Sequence, residues 1–139
     1  MLALVLAVPP YYAHPPRREQ PRPLREKFER LEPYKDLIQA HGTQFLVGQY
    51  PVDIQYYLGH ARCATYGYEL LNEWKPGLTL AQFLESRNIT LFYLDEHLLQ
   101  QLSGDPSNPF VGNAGDAHWK LLACGDVPGN RWKLFRRVP

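Results

Sequence analysis

The sequence predicts an α/β fold in which a small, partly parallel sheet is flanked by helices and closed by a C-terminal β-hairpin. Between residues 43 and 102, short apolar runs of strand length alternate with amphipathic helical segments. After a loop rich in Gly, Pro, Asn and Asp (103–117), two strand-like segments at 119–124 and 132–138 flank the turn sequence Val-Pro-Gly-Asn. A chain of 139 residues can bury a core of this kind without metal ions or disulfides.

The N-terminal region differs in composition from the rest of the chain. Residues 1–8 form an apolar run, and seven of the 13 prolines lie within the first 33 residues. The run is shorter than the roughly 20 residues that cross a bilayer, but an apolar run followed by paired tyrosines is typical of the end of a membrane helix. We therefore expect an apolar stub or helix end (1–12), a proline-rich connector with short helices (13–42) and an α/β domain (43–139).

Two short helices are predicted within the connector. Leu24, Phe28 and Leu31 recur at helical spacing among charged residues, which indicates an amphipathic helix. Pro33 ends this helix and suits the first position of a second one, which stops at Gly42.

The α/β domain begins with a predicted strand at 45–47, bounded by glycines. Pro51 suits the first position of the helix that follows, and a second strand is expected within 62–68. Thr79 is the predicted N-cap of the next helix, with Gln82 as its capping-box partner.

The next helix boundary and strand follow from three further signals. Asn88 is expected to end the helix that Thr79 begins. Residues 89–94 form a strongly apolar strand, and Asp95 is the predicted N-cap of the helix after it.

Charge and motif content exclude several classes of function. Lys and Arg number 15 and Asp and Glu 14, so the net charge of +1 gives no reason to expect a nucleic-acid partner. Neither the dinucleotide-binding nor the P-loop glycine pattern occurs. The five histidines are scattered without the spacing of a metal site. We therefore expect no metal and no cofactor.

Candidate ligand-binding residues follow two of the predicted strands, because open α/β sheets bind ligands at the carboxyl ends of their strands. Gln49, Tyr50 and Asp53 follow the first strand, and Asp95 and His97 follow the strand at 89–94. Asp95 and His97 also offer a carboxylate and an imidazole for a hydrolase, although an N-cap and a solvated neighbour are the simpler interpretation. No residue is assigned a catalytic role.

The two cysteines allow two interpretations. Cys63 and Cys124 each lie near a predicted strand. They form a disulfide if the protein matures in an oxidising compartment, or they are small buried hydrophobic residues. The sequence leaves both alternatives open.

The order of these features resembles one known family. The chain is similar to the C-terminal soluble domain of polytopic glycosyltransferases related to the dolichyl-phosphate-mannose protein mannosyltransferases and the bacterial aminoarabinose transferases. The resemblance covers residues 43–138, including the closing hairpin and the strand at 89–94. Its motifs are VGQYP (47–51), IQYYLG (54–59), ELL (69–71) and LTL (78–80).

The resemblance implies a membrane-anchored, extracytoplasmic α/β domain of an enzyme that transfers a sugar from a polyprenyl-phosphate carrier. The catalytic acidic residues of that family lie in membrane-proximal loops that have no counterpart in this sequence, so the domain is expected to be non-catalytic alone. Its expected partners are the membrane, through an N-terminal transmembrane segment, and a lipid-linked sugar or the acceptor. Arg17 and Arg18 favour the cytoplasmic side instead. The alternative is a free-standing soluble module that binds a small polar ligand.

Overall fold

The computed structural model describes residues 21–59, 62–112 and 115–139. Two compact units divide the chain, with the boundary between Pro33 and Tyr34, and residues 34–42 therefore belong to the second unit. The expected apolar stub at 1–12 and the first part of the connector lie outside the described residues. No helix among the described residues is long and apolar enough to cross a membrane.

The described part of the first unit is the predicted amphipathic helix. Helix α1 spans Arg22–Leu31, with proline in its first turn. Leu24, Phe28 and Leu31 are buried, which confirms the predicted apolar face. Pro33 lies in a 3-10 turn, Glu32–Tyr34, directly after the helix.

The second unit contains four α-helices and five strands in its described residues. The helices are α2 Lys35–Ile38, α3 Pro51–Ile54, α4 Leu80–Ser86 and α5 Glu96–Leu102. Helix α3 continues into a π-helical turn, Gln55–Gly59, and a 3-10 helix spans Tyr68–Glu73. The strands are β1 Gln44–Leu46, β2 Ala64–Tyr66, β3 Leu91–Leu94, β4 Trp119–Gly125 and β5 Trp132–Arg137.

The five strands form one mixed sheet in the order β2-β1-β3-β5-β4. Strand β1 pairs in parallel with β2 and β3. Strand β5 pairs antiparallel with both β3 and β4, so the last two strands form a hairpin. The predicted α/β fold with a C-terminal hairpin is confirmed.

The hydrophobic core is centred on strand β3 and on a cluster of aromatic side chains beside it. All four residues of β3 are buried. Phe110 makes edge-to-face contacts with Phe92, Trp119 and Phe135, with ring centroids 5.0 to 5.3 Å apart. Because Phe110 belongs to the loop between α5 and β4, this cluster fixes the loop against the sheet.

Several local predictions are confirmed at the level of single hydrogen bonds. The Thr79 side chain accepts from the Gln82 N–H (3.1 Å), and the Gln82 side chain accepts from the Thr79 N–H (3.0 Å). In the hairpin turn the Asn130 N–H donates to the Val127 carbonyl (2.9 Å), and Gly129 has φ +78° as a type II turn requires.

Strand β3 begins two residues later than the sequence predicts. Asn88 adopts the left-handed conformation (φ +57°) and ends helix α4. The Ile89 N–H donates to the Leu84 carbonyl and the Asn88 N–H to the Glu85 carbonyl, which together form a Schellman motif. Ile89 therefore belongs to the end of the helix, although its apolar side chain fits the strand pattern.

The capping box predicts the response of helix α4 to substitution. Thr79→Ala removes the side-chain acceptor and is expected to lower the free energy of unfolding by about 1 kcal/mol, measured by urea denaturation. Gln100→Ala, at an exposed position within α5, is the control and is expected to change it by less than about 0.5 kcal/mol. Equal effects of the two substitutions would contradict the capping role.

Candidate functional site

The order of the strands creates a crevice at the carboxyl ends of β1 and β3. After β1 the chain runs to β2, which lies on one side of the β1–β3 pair in the sheet. After β3 it runs to the hairpin, which lies on the other side of that pair. Loops that diverge in this way leave space between them, and ligands of open α/β sheets bind at such points.

The side chain of Tyr68 lies in this crevice. Its hydroxyl accepts a hydrogen bond from the Asp95 N–H at the end of β3 (3.2 Å). Its ring lies over Gly48 at the end of β1, where an added Cβ would overlap the ring and lie 2.7 Å from Cε1 and Cε2. Gly48 also has φ +82°, so glycine is required there for its conformation and for its small size.

The phenol of Tyr68 is held in its protonated form. Burial, followed by the charge of Asp95, raises the pKa of Tyr68 well above its ordinary value. The hydroxyl therefore remains neutral near pH 7 and serves as a hydrogen-bonding group between the ends of β1 and β3.

An open cleft of about 410 Å³ lies beside Tyr68. We call it the strand-end cleft, and its lining residues are Gly48, Gln49, Tyr50, Pro51, Tyr68 and Glu69. Tyr50 adopts the left-handed conformation (φ +62°), which is uncommon for an aromatic residue. A second cleft of about 380 Å³ shares Pro51 and Glu69 with the first, so Glu69 lies where the two adjoin.

The strand-end cleft includes two of the five predicted ligand-binding residues. Gln49 and Tyr50 line it, whereas Asp53 does not. Asp95 caps helix α5 by accepting from the Leu98 N–H (3.1 Å), as its sequence position predicts. His97 is exposed, and its Nε2 lies 3.2 Å from the side-chain amide of Gln101.

The arrangement of Asp95 and His97 bears on the hydrolase interpretation. No hydrogen bond or ion pair joins these two described side chains, since the Asp95 carboxylate accepts from the backbone and His97 contacts Gln101. A nucleophile and base pair requires such a bond. The described contacts therefore match the simpler interpretation of these residues.

Tyr68 and Glu69 were not among the five predicted ligand-binding residues. They begin the 3-10 helix after β2, in the least periodic part of the domain. Only the strand order brings this segment against the end of β1. A sequence signal exists in Gly48, because a glycine directly after a buried strand indicates a close neighbour, but it does not identify that neighbour.

A buried lysine holds the loop that precedes β4. Lys133 is 7% exposed, and its Nζ donates to the carbonyls of Val111 (2.5 Å) and Gly112 (3.0 Å). Burial lowers the pKa of Lys133. Since its ammonium is satisfied by backbone carbonyls, this side chain positions the loop.

The cysteines do not pair in the structure. Both are free, with Cys63 buried and Cys124 exposed. Cys63 directly precedes β2 and Cys124 lies in β4, which are the two opposite edges of the sheet. Four strand spacings of about 4.8 Å separate these edges by roughly 19 Å. A disulfide requires Cα atoms within about 7 Å, so the bonded alternative does not fit this fold.

No group of three His, Cys, Asp or Glu side chains among residues 21–59, 62–112 and 115–139 is arranged to hold a metal ion. No protein-family model, curated protein or solved structure matches the chain.

Two glycines with nearly equal φ angles test the packing of Tyr68. Gly42 has φ +81° and no atom within 4 Å of an added Cβ, whereas Gly48 has φ +82° and the Tyr68 ring in that space. Gly42→Ala is expected to cost about 1–2 kcal/mol of stability from backbone strain alone. Gly48→Ala is expected to cost about 1–3 kcal/mol more, because the ring must move. Equal losses in urea denaturation would contradict the described position of Tyr68.

The two thiols are expected to differ in reactivity. Cys63 is 2% exposed, and burial raises its pKa to about 11, so little thiolate forms near pH 8. Native protein is therefore expected to react rapidly with a thiol-specific reagent at Cys124 only, and at both cysteines in denaturant. A Cys124→Ser variant gives the matched control, with no rapid reaction when folded. A native protein without any reactive thiol, or with two, would contradict this arrangement.

Proposed function

We propose that this chain is the non-catalytic, extracytoplasmic C-terminal domain of a membrane glycosyltransferase that uses a polyprenyl-phosphate-linked sugar donor. In this proposal the strand-end cleft contacts the donor sugar or the acceptor. The enzyme's own chemistry takes place on other parts of the longer protein.

The observation that carries the proposal is the chemistry of the strand-end cleft. Tyr50 offers an aromatic ring, Gln49 an amide and Glu69 a carboxylate around one open depression. Sugar hydroxyls donate to carboxylates and exchange hydrogen bonds with amides, and the C–H faces of a sugar ring pack on aromatic rings. A shallow cleft with these groups suits a sugar unit that remains attached to a larger molecule.

The fold agrees with the proposal. The sequence resemblance implies a small α/β unit, and the second unit is an α/β fold whose sheet ends in a hairpin. The VGQYP motif of that resemblance directly follows β1 and ends at the first residue of α3, and the ELL motif begins at Glu69. Two motifs that are separate in the sequence therefore meet at the strand-end cleft.

A free-standing module that binds a small polar ligand is the second candidate function. The observation that favours it is that the strand-end cleft is formed by residues of the second unit alone. Such a module needs no further domain to complete its ligand site.

The two candidates are distinguished by tagging the gene at its 3′ end in the source organism. The glycosyltransferase proposal predicts a tagged product much larger than 16.1 kDa in the membrane fraction. It also predicts that a membrane-impermeant maleimide labels Cys124 in intact cells, because this thiol is exposed and faces the outside of the membrane. The Cys124→Ser variant is the control for that labelling.

Two outcomes would overturn the leading proposal. A soluble product of about the mass of this chain would favour the free-standing module. A large membrane product whose Cys124 reacts only after the cells are opened would place the domain on the cytoplasmic side.

A further inference from the structure

The two edges of the sheet differ in how they are protected. Strand β4 forms one edge and strand β2 forms the other. The pairing of β4 is irregular between Leu121 and Ala123, and the Tyr34 hydroxyl donates to the Leu122 carbonyl (3.3 Å). Such irregularities and covering side chains hinder the pairing of an edge with another chain. The β4 edge is therefore a poor site for a further strand.

Strand β2 lacks these protections in the described part of the chain. It contains Ala64, Thr65 and Tyr66, without proline or charge, and its register with β1 is continuous. The Ala64 N–H donates to the Thr43 carbonyl (3.2 Å), and the Tyr66 carbonyl accepts from the Val47 N–H (3.0 Å). Because the backbone groups of alternate strand residues point to opposite sides, the N–H and carbonyl of Thr65 point away from β1.

The cleft of about 380 Å³ that adjoins the strand-end cleft lies beside this edge. We call it the edge cleft. Its lining comes from residues 51–55, from the end of β2 with Gly67, and from the 3-10 helix Tyr68–Glu73.

The segments that flank the edge cleft lie on opposite faces of the sheet. The Thr65 hydroxyl donates to the Pro51 carbonyl (2.8 Å), so the start of α3 lies on the face to which Thr65 points. Tyr66 points to the other face, where Tyr66 and Leu70 pack against the main hydrophobic cluster. Because β1 occupies the inner side of β2, a cleft that contacts both segments lies at the outer side and the carboxyl end of β2.

The described lining of the edge cleft carries negative charge. Its charged side chains are Glu69 and Glu73, and Glu73 pairs with the Arg87 guanidinium (2.5 Å). Glu69 is exposed and has no hydrogen-bond or ion-pair partner among residues 21–59, 62–112 and 115–139. A ligand that brings a positive charge to Glu69 is therefore favoured over an anionic one.

Exposed apolar side chains lie on the α3 side of the edge cleft. Val52 lines the cleft and is 68% exposed, and Tyr56, which follows one turn later, is 57% exposed. The side chains of a strand added to β2 would point alternately to the two faces of the sheet. One set would meet Val52 and the other Glu69, so a matching segment alternates apolar and basic residues.

We propose that the edge cleft is a docking site for an extended polypeptide segment of another protein, which pairs with β2 and alternates apolar and basic residues. The backbone N–H and carbonyl of Thr65 supply hydrogen bonds to the added strand, and Val52 and Glu69 select its side chains. A polypeptide fits better than a sugar chain, because an edge strand offers a donor and an acceptor in the spacing of another strand.

This proposal goes beyond the proposed function and does not rest on it. It concerns a polypeptide at the edge of β2, whereas the proposed function concerns a sugar in the strand-end cleft.

The test is an NMR titration of the full chain with the peptide Ac-Val-Lys-Val-Lys-Val-NH2. The backbone N–H signal of Thr65 is expected to shift until the site is saturated. The matched probe has Glu in place of both Lys residues. It is expected to bind about fivefold more weakly, because Glu69 repels it and exposed charge pairs contribute modestly.

Two N-methylated forms of the basic peptide test strand pairing directly. One form carries methyl groups on its lysine amides and the other on its valine amides. Because a strand directs alternate N–H groups to its two sides, one form is expected to lose binding and the other to keep it.

Two pairs of protein variants locate the site. Glu69→Gln is expected to weaken binding of the basic peptide about fivefold. Glu29→Gln is its control, since Glu29 is an exposed carboxylate of α1 outside the cleft lining. Thr65→Pro removes the outward N–H and is expected to abolish binding, whereas Thr65→Val retains that N–H and is expected to bind. Melting temperatures check folding, and the methylated peptides decide the question if Thr65→Pro does not fold.

Each outcome bears on the proposal. Saturable binding of the basic peptide that Glu69→Gln weakens, Glu29→Gln leaves unchanged and one methylated form loses supports it. Absence of saturable binding, equal binding of the basic and acidic peptides, or equal effects of the two methylations overturns it. A dimer in sedimentation experiments that Thr65→Pro abolishes would assign the edge to a second copy of this chain, which also overturns it.

Discussion

The burial of strand β3 is the constraint on which both ends of the domain depend. This strand has only four residues, all buried, and it joins the parallel pair β1–β2 to the antiparallel hairpin. At its carboxyl end, the Asp95 N–H donates a hydrogen bond to the hydroxyl of Tyr68. At its amino end, Thr90 accepts hydrogen bonds from the backbone N–H groups of Gln44 and Arg137. A shift of β3 would therefore disturb the contacts at both ends of the sheet together.

Hydrogen bonds from two charged side chains connect the hairpin to the rest of the second unit. Lys133 donates to the loop that carries Phe110, and the Arg131 guanidinium binds Glu96 at the start of α5 through Nε (2.9 Å) and Nη2 (2.5 Å). The bonds from Arg131 lower the pKa of Glu96, so this carboxylate stays ionised at neutral pH. Both contacts act on β5 or on the turn before it. The start of β5 is thus attached both to α5 and to the loop before β4.

Sequence reasoning predicted the features that depend on neighbours along the chain. The Thr79 cap, Pro51 at a helix start and the type II turn before Asn130 each follow from residues within four positions of one another. It could not identify Tyr68 as the residue beside Gly48, because that contact requires the order of β1, β2 and β3.

The position of Tyr68 determines what the strand-end cleft can hold. In an open α/β sheet a ligand enters the crevice between the diverging loops. Here the neutral phenol of Tyr68 occupies that crevice and accepts a hydrogen bond from the Asp95 N–H. A ligand at this end must therefore bind beside the ring, against Tyr50 and Glu69, where the cleft is open to solvent. Removal of the ring would open the crevice but would also remove the contact between the ends of β1 and β3. The same side chain thus supports the sheet and keeps the ligand site shallow.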